Sequence, residues 1–427
     1  MSLIVKVGKM GKRVLKKFLP EEKHHVSYTR RIERVHTKER VVAMTFDDGP
    51  MDLPSSPDKF GGRALTDLLL DTLQEYHALG TFDVVGDTSE NYPDMAGKSG
   101  QADWGGVRYD HYPDINQDGR GGVVHNDRLV RRILHEGHQI TNHGYRHVLF
   151  GKKPFVYGKR DHFHGLDPVV ADLTRLHTLL QETYGYTMTM GRPPHYVDKI
   201  EGGFTSYDAY DQMGYLYLAA AFDGAGWLPI HHNTVQESLQ AEIAAMVEPM
   251  QRALEADPDA LAGQIIFQKD GYNMSRRTPV AFGLKQQLEL LQSYGYRVVT
   301  VEQLMADYSP FADVGREEPG FEKLVALQKT RGIVFSDNRL RLDDPMTWGE
   351  LAMLLAPRAE AIGRRVAKIR ETGTPQHANW GAMDWCAEQG ILKYAMDPDG
   401  TVSSLPSEFF GPAKDYTRRQ VYAAYRG

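Results

Sequence analysis

The chain has 427 residues, 41% apolar and 25% charged, the balance of a folded chain of two or three domains, which excludes disorder, collagen and coiled coil as descriptions of the whole. A formal charge of −6 argues against a basic nucleic-acid-binding surface. The single cysteine, Cys386, has no intramolecular partner, and no apolar run approaches the roughly 18 residues a spanning helix needs.

Residues 1–38 read as a basic arm. Lys6, Lys9, Lys12, Arg13, Lys16 and Lys17 come with no acid before Pro20. Val7, Met10, Val14, Leu15 and Phe18 fall at near-helical spacing, which suits a solvated arm or contact with an anionic membrane surface. No apolar signal-peptide core is visible in it. From 39 to 307 the pattern alternates. Short β-rich runs end at Phe46, Val85, Met190, Phe222, Phe267 and Val301, and periodicity predicts helices over 64–76, 127–135, 167–184, 235–254 and 278–294. In 167–184, for example, Val169, Val170, Leu173, Leu176, Leu179 and Leu180 keep a helical period. Such alternation predicts an α/β fold with a parallel sheet or barrel. A Gly- and Asp-rich insertion, 87–125, interrupts it. After Tyr308 helical segments take over, so 308–427 is expected to be a separate, mostly helical C-terminal domain.

Strand 41–46 runs into Asp47-Asp48-Gly49-Pro50. By itself this is a turn signal, yet the C-terminal end of a parallel strand is where α/β folds place catalytic groups. Diverging side chains there let one carboxylate hold a metal while its neighbour handles a proton. His143 and His147 stand at i, i+4 in HGYRH; if helical, both imidazoles leave one face and grip one ion. Two histidines and one aspartate leave coordination positions open, the condition for a catalytic metal.

TFDDGP (45–50), HGYRH (143–147), GRPPHY (191–196), FDGAGW (222–227) and IIFQKDG (265–271) occur in that order. Together with the lead-in RVVAMTFDDGP and the exit LELLQSYGYRVVTVEQL, this resembles the NodB-homology polysaccharide deacetylases, carbohydrate esterase family four, over 39–307. The resemblance implies a distorted (β/α) barrel that hydrolyses acetyl groups on N-acetylglucosamine polymers or acetylated xylan. Asp48, His143 and His147 would bind a divalent metal, usually zinc, with cobalt, nickel, manganese or iron as alternatives. Asp47 would be the general base and Arg192 its partner. The backbone N–H of the residue in the aromatic slot of the third motif would help stabilise the oxyanion. Pro194, Tyr196, Asp223 and Trp227 would line the substrate side, Trp227 at the acetyl pocket. An acetylated glycan is the implied partner; no nucleic-acid or transmembrane partner is expected.

Four departures bear on this. Gly144 follows His143 where Ser or Thr is common. His195 stands in the aromatic slot, and Gly226 where an aspartate usually helps hold the arginine, with Asp223 nearby. Lys269 aligns with the histidine expected to be the general acid. Lysine is ordinarily a far weaker acid than histidine, so Lys269, His195, or one of His231 and His232 would have to donate the proton. The departures keep a rival reading open, a catalytically decayed barrel retained as a carbohydrate-binding module. A non-haem iron enzyme is a third, because two histidines and a carboxylate also suit Fe(II).

Two other signals stand apart. Asp114, Asn116, Asp118 and Gly119 reproduce the first half of a calcium loop, with His125 where a closing Glu belongs. Trp104, Tyr109 and Tyr112 in the same insertion are candidates for stacking on sugar rings or for packing the loop down. Segment 311–355 resembles an S-layer-homology repeat, with a degenerate copy over 378–425. Thr347…Glu350 and Thr417…Gln420 are also capping boxes. If the repeats anchor to a cell-wall polymer, Arg418 is the residue expected to make the contact, and the protein works extracellularly at the wall.

Overall fold

The computed structural model describes residues 28–53, 63–91, 103–104, 107–108, 119–152, 162–273, 277–333, 335, 337–391 and 412–425. Nine strands build one parallel sheet: β1 (Arg31–Ile32), β2 (Val41–Asp47), β3 (Gly80–Val84), β4 (Gln139–Asn142), β5 (Met190–Gly191), β6 (Leu216–Leu218), β7 (Phe222–Asp223), β8 (Ile265–Lys269) and β9 (Arg297–Val299). Their order is β1-β6-β5-β4-β3-β2-β8-β7, with β9 beside the first residues of β2. The path ends at β1 and β7 without pairing them, so the curled sheet stays open as a half-barrel. β2 is central and every residue of VVAMTFD is buried, as expected for a strand covered on both faces.

Around the sheet run α1 (Leu65–Glu75), α2 (Asp127–His135), α3 (Leu166–Tyr184), α4 (Ser206–Met213), α5 (Val235–Ala256), α6 (Val280–Ser293) and α7 (Val301–Asp307). α3 buries Val169, Leu173, Leu176 and Leu180 and stops at Gly185, whose φ of 65° suits a left-handed C-terminal cap. The expected helices match to within two residues at each end. The strand ending at Phe222 divides into β6 and β7, and α4 falls in a stretch with no assigned element. β4 carries no clear strand signal in the sequence, because QITN is short and half polar. It is buried nonetheless, and the Gln139 side-chain oxygen Oε1 accepts from Thr81 Oγ1 at 3.0 Å and from the Glu302 backbone N–H at 3.1 Å.

Beyond the sheet lie α8 (Phe321–Arg331), β10 (Pro345–Thr347), α9 (Trp348–Leu355), α10 (Arg358–Thr372), α11 (Trp380–Glu388), β11 (Pro412–Thr417) and α12 (Arg418–Ala424). β10 and β11 pair antiparallel. Each leads into a helix capped by its last residue, Thr347 with Glu350 and Thr417 with Gln420. This mostly helical region rests on the sheet domain: Val366 and Ile369 of α10 join the main apolar core, Arg365 pairs with Asp208, and Arg370 with Asp167. No helix among the described residues is long and apolar enough to cross a membrane. Residues 1–27 of the arm, Asp114, Asn116 and Asp118, Tyr109 and Tyr112, and 392–411 of the second repeat lie outside the described residues, as does the Trp104 side chain.

Candidate metal and active site

The site sits at the C-terminal ends of β2, β3, β4 and β8, and each strand delivers an acid or base there. β2 ends on Asp47. Asp48 follows with a φ of 84°, and its N–H donates to the Asp83 carbonyl at 3.2 Å. That turn sends the two carboxylates apart, Asp47 toward Arg192 and Asp48 toward the histidines. β3 contributes Asp83, in register with Asp47. β4 leads directly into His143.

HGYRH is not helical. It is a loop that turns through Gly144 (φ 87°) and His147 (φ 53°), pinned from α3 by Asp172, whose carboxylate accepts from the Tyr145 N–H at 2.7 Å and Arg146 Nε at 3.0 Å. The turn does what helical spacing was expected to do. The His143 and His147 rings lie 5.0 Å apart, and their Nε2 atoms stand 3.2 and 3.1 Å from one oxygen, Asp48 Oδ1. A side chain at 144 would start 3.2 Å from the Asp172 carboxylate in a left-handed backbone, so glycine has a local reason there. Asp48, His147, His195 and Tyr196 all hold positive φ, a concentration of backbone strain of the kind found at functional sites.

Asp48, His143 and His147 are buried, and their ligand-type atoms lie within 4.8 Å of one another. The donor set, two imidazole nitrogens and a carboxylate oxygen, fits a divalent cation. So does the local charge: Asp47, Asp48, Asp83 and Asp270 are all buried here, against two permanent cations, Arg192 and Lys269. His143 Nδ1 is 2.8 Å from Asp83 Oδ2 and 2.9 Å from the Arg192 carbonyl. Donating there leaves Nε2 as the atom that faces Asp48, the outer-shell arrangement that orients ligating histidines.

The protonation states follow from burial and neighbours. Burial pushes Asp47 up to about 7, against the pull of Arg192 and His143. Asp48 moves the other way: burial alone would raise it, but Lys269 and His147 outweigh that and hold it well below the usual carboxylate range. Burial would also depress His143, yet Asp83 and Asp47 carry it up to about 10. His147 stays depressed at about 4, burial prevailing over Asp48. Burial raises Asp270 to about 7, even though Thr66 Oγ1 donates to it at 2.7 Å.

Arg192 is fully buried and paired with Asp47. It also donates to Thr45 Oγ1 at 3.0 Å and to the carbonyls of Leu218 at 3.2 Å and Ala219 at 3.3 Å. No aspartate is needed from the fourth motif. Asp223 is exposed and accepts instead from the Trp227 indole N–H at 3.0 Å. A Cβ at Gly226 would meet Val280 Cγ2 at 2.3 Å, so an aspartate there has no room. His195 lies at the site, its ring 5.4 Å from that of His147. Pro194 is buried, and Tyr196 lies beside the Arg192 guanidinium, 5.3 Å from ring centre to Cζ. Trp227, His231 and His232 are exposed. Lys269 ends β8 in register with Asp47, and its buried ammonium contacts the second Asp48 oxygen, Oδ2. Outside the site, His125 pairs with Asp87 at 2.7 Å. Arg418 is buried against Glu350 at 2.7 Å and stacks over Phe335, so it is withdrawn from the surface where a polymer contact was expected.

Sequence reasoning missed Asp83, Thr45 and Asp270. The available signal was an acid set among apolar neighbours, as in GTFDV, which is expensive to bury without a task.

The curled parallel sheet thus brings an Asp-His-His cluster and an Arg-held second aspartate together at its strand ends, a donor set that could hold a metal ion. Residues 34–197 match the polysaccharide deacetylase family model, which supports the NodB-homology resemblance over that stretch. Among curated proteins, the chain is 22% identical over 282 residues to the peptidoglycan-N-acetylmuramic acid deacetylase PdaC of Bacillus subtilis, covering 66% of this chain and 42% of that protein. It is 21% identical over 303 residues to the peptidoglycan-N-acetylglucosamine deacetylase PgdA of Listeria monocytogenes, covering 71% and 46%. The chain thus spans less than half the length of these relatives. Among solved structures it is similar to a CE4 family pseudoenzyme from Bacillus anthracis, with a TM-score of 0.40 and 14% identity over 64% of this chain and 68% of that one.

Proposed function

We propose that this protein is a metal-dependent deacetylase acting on an N-acetylated cell-wall glycan, with Asp48, His143 and His147 as metal ligands. The observation that carries the reading is one carboxylate oxygen, Asp48 Oδ1, facing two imidazole Nε2 atoms at 3.2 and 3.1 Å, beside a second carboxylate, Asp47, held separately by Arg192. Zinc suits two nitrogen donors and one oxygen donor with positions left open. A divalent ion held there would polarise the acetyl carbonyl and acidify a water. Asp47 would take a proton from the attacking water, and Arg192, fixed by two backbone carbonyls, keeps Asp47 aimed and favours its ionised form against the pull of burial. The amine leaving group needs a proton on departure, and Lys269 and His195 are the nearest candidates to give it. Burial of the cluster strengthens each of these electrostatic effects relative to water.

The peptidoglycan activities in the names of the two curated relatives support an N-acetyl substrate, and with it a place at the cell surface. Attachment to a wall polymer through 308–427 belongs to the same reading. The paired, similarly capped β10–α9 and β11–α12 units support an internal repeat there, but the contact has to be made by residues other than Arg418.

The test is acetate release from N-acetylglucosamine oligomers and peptidoglycan by chelator-stripped protein reloaded with zinc or cobalt. Acetate that appears with metal and disappears in Asp48→Asn is the expected result; metal binding with no acetate from any acetylated glycan refutes the proposal. A second reading, a decayed binding barrel, is favoured by the Lys269 contact with Asp48. It predicts that Lys269→His gains activity, whereas a lysine that serves as the acid loses activity on that change.

A further inference from the structure

We infer that His162, His164 and Glu201 form a second divalent-cation site, made of residues separate from the Asp48 cluster. The segment carrying the two histidines is anchored. Phe163 between them is buried, and its N–H donates to the Leu149 carbonyl at 3.0 Å. The flanking imidazoles both turn toward Glu201, which sits on the turn between the short paired strands Lys199–Ile200 and Phe204–Thr205. His162 Nε2 lies 2.8 Å from Glu201 Oε1 and His164 Nδ1 lies 3.0 Å from Oε2, with the rings 4.8 Å apart. One nitrogen from each histidine and one carboxylate oxygen fall within 4.8 Å of one another. Hydrogen bonds from both imidazoles hold the Glu201 carboxyl below its usual range, so it offers an anionic oxygen.

The chemistry selects the class of ion. Imidazole donors favour zinc, nickel or copper over magnesium and calcium. Three protein ligands leave positions for water, and a cavity of roughly 400 Å³ opens beside His164 and Glu201, reaching Phe204 and Arg370. The location suggests the consequence. Arg370 of α10 pairs with Asp167 at 2.5 Å, and Gly203 abuts the Thr374 backbone. An ion here would fasten 162–164 to the 199–205 hairpin where the C-terminal region docks, and would stabilise that docking by binding only the folded state.

The experiment is equilibrium dialysis of the chelator-stripped full chain against zinc, with copper electron paramagnetic resonance on the same samples. Asp48→Asn, which disables the first site, is expected to retain one zinc, bound at least tenfold more weakly once Glu201→Gln is added. Its copper spectrum is expected to show imidazole nitrogen coupling that diminishes in His164→Ala. Zinc should raise the melting temperature of Asp48→Asn and leave that of the Asp48→Asn, Glu201→Gln chain unchanged. The inference is overturned if Asp48→Asn binds no zinc, or binds it equally well after both Glu201→Gln and His164→Ala. Should the Asp48 cluster itself bind nothing, the unmodified chain still holds one ion that is sensitive to Glu201, so the two proposals fail separately.

Discussion

Lys269→Met tests the logic of the Asp48 cluster most directly. The change keeps the apolar stem and removes the charge whose contact is Asp48 Oδ2. Any divalent ion held by Asp48 Oδ1 and the two histidines shares that carboxylate with the ammonium. Two unit charges about 4 Å apart repel by roughly 4 kcal/mol at an effective dielectric constant near 20, and a double charge doubles this. Lysine is flexible, and if its movement relieves three quarters of the repulsion, about 2 kcal/mol remains, roughly 30-fold in Kd. Lys269→Met is therefore expected to bind zinc about 30-fold more tightly, measured by competition with a chromophoric chelator. Without metal the effect reverses. Asp48 loses the partner of a buried ion pair, worth about 3–5 kcal/mol, so the stripped variant unfolds at lower denaturant and zinc restores more stability than in the parent. A Kd unchanged within threefold, or weaker, would show that the ammonium steps aside at no cost and would refute the electrostatic reasoning.

Three other outcomes follow from single buried groups. Arg192→Met leaves Asp47 buried without its cation and should lower stability by about 3–5 kcal/mol in urea titrations; Arg192→Lys should rescue it poorly, because lysine cannot reach Asp47 and two carbonyls at once. His138 is buried, its Nδ1 accepts from the Gly80 N–H at 2.9 Å, and burial pushes it down to about 4. Since the fold holds the neutral ring, its contribution is complete above the ordinary histidine pKa of about 6.5 and is lost as pH falls toward 4. A loss on the order of 3 kcal/mol in that window is expected, and it should be absent from His138→Gln. Arg418→Met strands the buried Glu350 carboxylate and should destabilise the C-terminal region by about 3 kcal/mol, while metal stoichiometry and any glycan binding stay unchanged.

Much of the sheet domain was legible because its cues are local. Continuous apolar runs such as VVAMTF mark strands buried on both faces, and Leu173, Leu176 and Leu180 mark a helix by period alone. Asp47-Asp48 at a strand end and the His143–His147 pair were legible as chemistry-bearing residue types at short range. β4 was not, because QITN buries its polar groups through partners on β3 and α7 that lie far away in sequence. The helical expectation for HGYRH failed for a related reason: Asp172, 25 residues beyond His147, fixes the loop from α3.

The amino-acid sequence by itself determined the alternating α/β architecture, the capped C-terminal helices and the inventory of acids and bases, since periodicity, capping and residue type act over a few residues. Only the tertiary structure decided which groups meet: Asp83 behind His143, Lys269 on Asp48, the Leu218 and Ala219 carbonyls in place of an aspartate on Arg192, and Glu350 on Arg418. Each of these depends on the register of parallel strands or the docking of distant helices, where a charge is tolerated only if a partner from elsewhere in the chain arrives to meet it.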